Sequence, residues 1–421
     1  MAPNGNAHSQ TEILDHSGAG EVRYIARQPI LDAQGEVHAY ALLFDTASNG
    51  LIEGRGRDAA RAIVDDAVLI GLDRLAGGLP AFIRCTSEAL IEQLVTVLPP
   101  AITVLSIPET VKVSPHVVDA CRELKASGFR IALVDYTGAG DTHPLLELAD
   151  YIKVDRGRLD ATARLRLRLR MKASKIQAIA ERVDTQEDHR SALEEGYSFF
   201  QGLYFCYPEL IQSTHIPANR AFHMEILRLL QSDPLDLKKV SRAVMRDAAL
   251  VLRLLRLVNS PICAIRQEVN SIETAIMILG ETTFRRIANL AILRELNSGQ
   301  PAELLHMALV RARFCELSAP HCGQDASEQY LLGLLSLLPA MLRCPMETLA
   351  AEMPLRSEIR HALLGAPVPE RCLLTWIEAH ERDLHHDCIA TSKTWNLNEQ
   401  KLNQFYVDAL MWDAATPRNF N

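Results

Sequence analysis

The chain has 421 residues, of which 48% are hydrophobic and 23% are charged, the ordinary balance of a soluble globular protein. This length exceeds the usual size of one domain, so we expect two domains, each with its own core. The net charge of −8 disfavours nonspecific binding to nucleic acid or to an anionic membrane, because both surfaces would repel the chain.

The first 20 residues are small and polar, and we expect them to be disordered because they offer almost nothing to bury. They lack a cationic start followed by an apolar run, so no signal peptide is predicted. No uncharged apolar stretch of about 18 residues follows, and no membrane-spanning helix is predicted. The nine cysteines are scattered singly, which is typical of a reducing compartment, so we predict a cytoplasmic protein.

Residues 22–207 alternate short β-type runs with helical stretches. Several runs, such as RIALVDY and DYIKVD, are almost continuously hydrophobic, as strands covered on both faces are. The first two runs are joined by LDAQGE, a short glycine-containing turn of the hairpin type. This order predicts a modified TIM-like (β/α) barrel with an antiparallel first hairpin. The predicted strands are Val22–Ile30, Val37–Phe44, Ala81–Cys85, Ile102–Ile107, Arg130–Asp135, Tyr151–Val154, Ile176–Val183 and Phe199–Cys206.

Beyond Pro217 a helical periodicity extends almost to the C-terminus, which predicts an all-α second region. Asp233 and Pro234 are expected to end one helix and begin another, and Gly280 is expected to end an apolar helix face. The fold class is therefore α/β plus all-α, with a boundary near residues 208–218. The predicted helices cover residues 219–231, 236–246, 248–259, 271–279, 281–297, 301–319, 326–342, 355–363, 369–382 and 398–412.

Five segments of the first half carry a resemblance to a known family. They are ARQPILDAQGEVHAYALLFD (Ala26–Asp45), LVDYTGAG (Leu133–Gly140), IKVDR (Ile152–Arg156), AERVDT (Ala180–Thr185) and QGLYFCYP (Gln201–Pro208). Together and in this order they resemble EAL domains, which are enzymes that linearise cyclic di-GMP. A single one of these segments would be a weak signal, and the shared order makes the resemblance specific.

The second half resembles the HDOD domain, an all-helical relative of HD-type phosphohydrolases. The resemblance rests on residues 233–287, above all on LRLVNS and SIETAIMILG, and continues through ALVRARFCELSA and LLGLLSLLPAML. The tandem is similar to the YuxH-like EAL–HDOD proteins of bacteria. We therefore predict a disordered segment at 1–20, a degenerate EAL domain at 21–210 and an HDOD domain at 211–421.

The EAL resemblance implies divalent metal ions held by oxygen ligands at several strand ends, since such ions activate the water that attacks a phosphodiester. Four of the family's ligand positions have lost their ligand chemistry here, and they are occupied by Ala41, Arg84, Ser106 and Val134, with Glu109 near the third. The family's other site positions are retained as Asp135, Lys153, Glu181 and Gln201. We therefore expect no metal ion, no other cofactor and no catalysis by the family mechanism.

Arg84 is the replacement with the largest electrostatic consequence. A guanidinium about 4 Å from a divalent ion is repelled by roughly 8 kcal/mol at an effective dielectric constant near 20. The same guanidinium suits phosphate oxygens, so a metal-independent nucleotide site stays open as an alternative. Asp45 opposes it, because it replaces a phosphate-binding arginine that the resemblance implies. In the remaining interpretation the retained charged residues form only an ion-pair network. The candidate nucleotide-binding residues are Gln28, Arg84, Lys153 and Gln201.

The helical half offers no comparable site. The dipeptide His386-Asp387 stands in DLHHDC, which we interpret as a surface loop without a metal ion. Cys315 and Cys322 lack the second cysteine pair that a zinc site needs. Asn259 is expected to hydrogen-bond nearby backbone. The late aromatic residues could anchor a partner or complete the core, and they are Trp376, Trp395, Tyr406 and Trp412.

Three functions follow from these expectations. The first is a non-catalytic signalling scaffold that acts through protein–protein contacts, with a partner that the sequence does not name and a homodimer as one possibility. The second is a cyclic di-GMP receptor that binds without cleaving, and the third is a residual phosphodiesterase. Neither a nucleic acid nor a membrane is expected as a partner.

Overall fold

The computed structural model describes residues 23–46, 71–137, 143–173, 175–207, 218–232, 234–259 and 271–415, together with residues 64, 67, 68 and 269. The predicted disordered segment at 1–20 and the predicted domain boundary after residue 210 lie outside the described residues. Both therefore stay predictions.

Eight strands close into one barrel in chain order. They are β1 (Arg23–Asp32), β2 (Val37–Thr46), β3 (Ala81–Arg84), β4 (Thr103–Pro108), β5 (Arg130–Val134), β6 (Tyr151–Asp155), β7 (Gln177–Glu181) and β8 (Phe199–Gln201). β1 is antiparallel to both of its neighbours, β2 and β8, and the other neighbouring strands are parallel. The predicted barrel and its antiparallel first hairpin are confirmed.

Short helices connect the parallel strands and cover the outside of the barrel. They are α1 (Leu72–Ala76), α2 (Ser87–Ile91), α3 (Pro115–Ala126), α4 (Ala161–Ala173) and α5 (Gln186–Glu195). Local sequence explains where several begin. Thr185 and Asp188 form a reciprocal capping box at the start of α5, and Ser114 caps α3 just before Pro115 at the first helical position.

The barrel interior follows from the strand alternation. Its apolar layer is a separate cluster made of Ile30, Ala39, Ala41, Phe82, Val104, Ala132, Val134, Tyr151, Ile179 and Phe199. Successive residues of a strand point to opposite faces, so residues two positions from a member of this layer also point inward. The polar inward residues at the carboxyl ends of the parallel strands are Arg84, Ser106, Lys153, Glu181 and Gln201. We call this end of the barrel the mouth.

The second region is entirely helical in its described residues. Its helices are α6 (Ala218–Leu230), α7 (Leu237–Val244), α8 (Ala248–Val258), α9 (Ile272–Leu296), α10 (Ala302–Ser318), α11 (Ala326–Leu335), α12 (Leu338–Leu342), α13 (Met346–Glu352), α14 (Ser357–Leu363), α15 (Cys372–Glu381), α16 (His385–Trp395) and α17 (Glu399–Ala415). Gly280 interrupts α9 with a φ of 75°, which agrees with the predicted helix end there. None of the described helices is long and apolar enough to cross a membrane.

The interpretation of DLHHDC as a loop is wrong, because its last four residues, His385–Cys388, form the first turn of helix α16. Its buried residues are only Cys388 and Ser392, one turn apart, and the rest of the helix is mostly polar. Such a narrow apolar face gives a weak periodicity. The helix forms because tertiary contacts stabilise a segment that would be marginal by itself.

Candidate functional site

The four positions predicted to have lost their ligand chemistry lie at or just below the mouth. Ala41, Ser106 and Val134 are buried, and among them only Ser106 carries a side-chain oxygen. The Arg84 side chain is the exposed one, with 43% of its surface accessible. Glu109, which stands near Ser106, accepts hydrogen bonds from the backbone N–H and the hydroxyl of Thr137 at 2.8 and 2.7 Å. Its carboxylate therefore anchors the loop after β5.

Both retained carboxylates of the mouth are paired with cations. The Nζ atom of Lys153 lies 2.8 Å from Oε1 of Glu181, and both side chains are largely buried. Nη2 of Arg84 donates to Oδ2 of Asp135 at 3.3 Å, and Nη1 of Arg158 lies 4.0 Å from its other oxygen. Arg84, which stands at a predicted ligand position, thus pairs with Asp135, the aspartate that the resemblance to EAL domains predicts to be retained.

A polar cleft of about 410 Å³ opens beside the ends of β6 and β7. Asp155 pairs with two arginines of this cleft. The Nε atoms of Arg158 and Arg182 lie 3.3 and 3.4 Å from Oδ2 of Asp155. The cleft is lined by Asp155, Arg156, Gly157, Arg158, Glu181, Arg182 and Asp188. The lining contains equal numbers of arginines and carboxylates, so it carries no excess positive charge that would attract a dinucleotide. Asp155, Arg158 and Arg182 were not predicted as site residues, although Asp155 stands in the IKVDR segment and Arg182 in the AERVDT segment.

The donor set of the mouth does not fit the divalent ions that the EAL family uses. Hard divalent cations need several oxygen ligands, and the inward positions offer one hydroxyl, the amide oxygen of Gln201 and carboxylates that are already ion-paired. Within the described ranges no group of three His, Cys, Asp or Glu side chains is placed to hold a metal ion. We therefore derive no chemical step through a metal ion.

The four candidate nucleotide-binding residues fall into two separate groups. Gln201 donates to Oε1 of Gln28 at 2.7 Å, and Gln28 donates to the backbone oxygen of Glu381 at 3.1 Å. Arg84 and Lys153 are instead paired with carboxylates. The side chain of Asp45 lies outside the described residues. The two glutamines thus link the mouth to helix α15 of the helical region.

The outer face of the β1–β2 hairpin is also held by the helical region, through a buried polar cluster. Arg27 lies 3.6 Å from a Glu303 oxygen and 3.9 Å from an Asp413 oxygen. Tyr40 donates its hydroxyl hydrogen to the other oxygen of Glu303 at 2.6 Å. These side chains are almost fully buried, so each charge needs its partner. Helices α10 and α17 therefore contact the hairpin at the start of the barrel through Glu303 and Asp413. Helix α15 contacts the same hairpin through the Glu381 backbone oxygen.

Helices α10 and α15 are themselves joined by a buried ion pair. Arg311 of α10 donates from Nε and Nη2 to the carboxylate of Glu381, with a shortest distance of 2.6 Å. Glu378 lies 3.7 Å from the same guanidinium and is more exposed. Since Glu381 also receives the Gln28 hydrogen bond through its backbone, one residue connects α10, α15 and the mouth.

The late aromatic residues contribute mainly to the core. Trp376 is fully buried between Phe314 and His380, with ring centroids 5.2 and 4.8 Å away. Tyr406 is also buried, whereas Trp395 and Trp412 are half-buried.

The prediction for Asn259 is confirmed: it donates to the backbone oxygen of Val269 at 2.9 Å and accepts from its N–H at 2.8 Å.

Comparisons with known proteins agree with this architecture. The HDOD domain model matches residues 216–354. The protein named "Cyclic di-GMP phosphodiesterase CdgJ" of Vibrio cholerae is 31% identical over 367 residues, which cover 85% of each chain. This chain belongs to the EAL–HDOD tandem family. The "Uncharacterized protein YuxH" of Bacillus subtilis is 26% identical over 400 residues, covering 92% of this chain and 97% of that protein.

Solved EAL structures match part of this EAL–HDOD protein. The EAL domain of Mycobacterium smegmatis DcpA is 20% identical and covers 43% of this chain and 90% of that chain, with a TM-score of 0.35. The manganese/cyclic di-GMP complex of Klebsiella pneumoniae BlrP1 is 21% identical and covers 44% of this chain and 56% of that chain, with a TM-score of 0.37. The assignment of the barrel rests on its strand pairing. The HDOD match ends at residue 354, before α14–α17.

His380 of this EAL–HDOD protein predicts acid sensitivity of the contact between the two regions. Burial holds its pKa at about 4, below the ordinary 6.5, although its hydrogen bond to the Ile25 backbone oxygen opposes that shift. The folded state therefore favours the neutral ring. The contribution of neutral His380 to the free energy of unfolding is fully present above pH 6.5. It is lost as the pH falls from 6.5 towards 4, by about 3 kcal/mol in total.

Chemical denaturation at pH 7 and at pH 4.5 measures this effect. We expect the unfolding free energy of the wild type to fall by about 2–3 kcal/mol more than that of His380→Gln, which does not titrate. Other groups that titrate in this range contribute to both proteins, so the difference isolates His380. Equal pH dependence of the two proteins would contradict the assignment.

Proposed function

We propose that this EAL–HDOD protein is a non-catalytic component of bacterial cyclic di-GMP signalling that acts through contacts with other proteins. The observation that carries the proposal is the state of the mouth, where Arg84 stands at a predicted ligand position and pairs with Asp135, the aspartate predicted to remain. We also propose the division into a degenerate EAL domain at 21–210 and an HDOD domain at 211–421.

Electrostatics supports the loss of catalysis. A phosphodiester is hydrolysed at neutral pH when metal ions stabilise the phosphate charge and acidify a water molecule. At this mouth an entering divalent ion would meet the Arg84 guanidinium and would have to displace it from Asp135. With few oxygen donors to compensate, the ion gains too little to overcome the repulsion.

The cytoplasm is the compartment we propose for this action. All eight cysteines among the described residues are free thiols, as is typical of a reducing environment. The partner is proposed to be a protein, either another signalling protein or a second copy of this chain, and not a nucleic acid. Light scattering of the purified chain over a range of concentrations separates a homodimer from a monomer that needs a different partner.

A phosphodiesterase assay tests the proposal directly. We expect the full chain, incubated with cyclic di-GMP and either Mg²⁺ or Mn²⁺, to form no linear dinucleotide above the protein-free blank in a chromatographic assay. The Vibrio relative CdgJ, named as a cyclic di-GMP phosphodiesterase, is the positive control. Product that forms with this chain and disappears in Glu181→Gln would contradict the proposal and identify a residual enzyme.

One observation favours a second candidate, a metal-independent cyclic di-GMP receptor. Arg84 is partly exposed at the mouth, and an arginine can hold two phosphate oxygens at once. Binding would require Arg84 to leave Asp135. Calorimetry with cyclic di-GMP in the absence of metal ions decides between the two. We expect no binding; micromolar affinity that is lost in Arg84→Ala and retained in the exposed control Arg122→Ala would establish the receptor.

A further inference from the structure

Helix α4 exposes two leucines that lie one turn apart. Its sequence contains the strictly alternating run RLRLRLR, Arg164–Arg170. On a helix, residues four positions apart share a face, whereas a residue two positions away lies on the opposite side. Leu167 is accordingly buried in the core, and Ala163 packs against that core. Leu165 and Leu169 lie on the opposite face, where they are 58% and 60% exposed.

The charge of α4 is strongly positive. Residues 161–173 contain four arginines, one lysine and no acidic residue, although the whole chain has a net charge of −8. Arg164 and Arg166 are exposed, and the helical spacing places them on either side of the two leucines. Glu195 lies 3.9 Å from Arg164, but it already pairs with Arg156 at 2.8 Å. This carboxylate therefore neutralises little of the charge of α4.

We propose that the α4 face, which consists of Leu165, Leu169, Arg164 and Arg166, docks an acidic amphipathic helix of another protein. This inference rests on the proposed function and names the kind of partner that it requires. A helix with apolar side chains at the same spacing would cover the two leucines, as amphipathic helices do on apolar faces. Carboxylates beside those side chains would pair with the two arginines, and this complementarity would fix the orientation of the partner.

Other occupants fit the α4 face less well. In a symmetric dimer both copies would present this face, so arginines would lie against arginines. A double-stranded nucleic acid would offer phosphates to the arginines, but it would leave the leucines without an apolar partner. An anionic membrane would repel the rest of this acidic chain. An acidic helix satisfies the leucines and the arginines together.

Fluorescence anisotropy with the full chain tests the docking site. The probe is a fluorescein-labelled synthetic peptide of about 20 residues, built from glutamate, alanine and leucine, with the leucines along one helical face. We expect micromolar binding that weakens as salt is added. Peptides with lysine in place of glutamate, or with glutamine in place of leucine, should bind at least about tenfold more weakly. No binding of the probe, or equal binding of either control peptide, would overturn the proposal.

Variants of the α4 face locate the binding. Leu165→Ser/Leu169→Ser should weaken binding of the probe about tenfold, because it removes exposed apolar surface and leaves the core intact. Val97→Ser is the matched control and should bind as the wild type does, since Val97 is 65% exposed on a 3₁₀ helix between β3 and β4. Arg164→Glu/Arg166→Glu should lose the acidic peptide and bind the lysine peptide instead. Unchanged binding in either double variant would contradict the assignment.

Two further measurements distinguish the other occupants. A wild-type dimer in light scattering that dissociates in Leu165→Ser/Leu169→Ser would assign the α4 face to a second copy of the chain. Sedimentation with vesicles of phosphatidylglycerol and phosphatidylcholine that requires the same leucines would assign it to a membrane. Either result would overturn the proposal. The phosphodiesterase assay does not depend on α4, so a failed docking site and a failed non-catalytic assignment are distinguishable.

Discussion

Replacing Glu381 by alanine is expected to lower the unfolding free energy by about 3 kcal/mol, at the lower end of the 3–5 kcal/mol typical of a broken buried ion pair. The reason is that the Arg311 guanidinium stays charged and buried after its carboxylate partner is removed. The Arg311 side chain is only 2% exposed, and without Glu381 it has Glu378 as its remaining carboxylate at 3.7 Å. That partial compensation is why we expect the lower end of the range.

Chemical denaturation followed by circular dichroism measures this loss. Glu352→Ala is the matched control, since Glu352 pairs with Arg228 at 3.0 Å on the surface and such exposed pairs contribute about 0–1 kcal/mol. The double variant Arg311→Met/Glu381→Leu removes both charges and should recover most of the lost stability. A single Glu381→Ala variant as stable as Glu352→Ala would show that the pair does not bear on stability.

Replacing Trp376 by alanine is expected to destabilise the protein by about 3–5 kcal/mol, the cost of removing a large aromatic side chain from a core. Trp376 is fully buried, and it stacks on Phe314 of α10 and on His380 in the next turn of its own helix. The Arg311–Glu381 pair joins the two helices that carry Phe314 and Trp376, and it opposes their closing around the cavity. The same change should therefore loosen α15 where it contacts the barrel.

Trp376→Phe is the matched control for this prediction. Phenylalanine keeps most of the ring volume, and the indole N–H that it removes has no hydrogen-bond partner among the described residues. We expect a loss of about 1 kcal/mol for this variant. Hydrogen exchange of the α15 amides should be faster in Trp376→Ala and little changed in Trp376→Phe. Equal unfolding free energies for the two variants would contradict the role of packing volume at this position.

The strands and most helices could be predicted because their signals are local. RIALVDY and DYIKVD are near-continuous hydrophobic runs of the length of a strand, and both form strands of the barrel. Gly280 marks a helix break because its backbone adopts a positive φ that other residues avoid. Helices α13 and α16 were missed, since each buries only a narrow face and depends on packing for its stability.

The candidate site was predictable only in part. Alternation along each strand is enough to place Arg84, Lys153 and Glu181 on the inward side of the mouth. Their pairing was not predictable, because it depends on how strands that are distant in sequence are set side by side. Gln28 and Gln201 illustrate this: expected as candidate nucleotide-binding residues, they form a hydrogen-bonded chain to the Glu381 backbone oxygen.

The sequence by itself determined the barrel and the helical second region, since these follow from short periodic patterns. The loss of ligand chemistry at Ala41, Arg84, Ser106 and Val134 stays a prediction that the resemblance to EAL domains implies. Only the tertiary structure decided that α10, α15 and α17 grip the β1–β2 hairpin and that Arg311 meets Glu381. No short pattern encodes such contacts. They arise when buried charges and large side chains find partners that only the packed chain brings within reach.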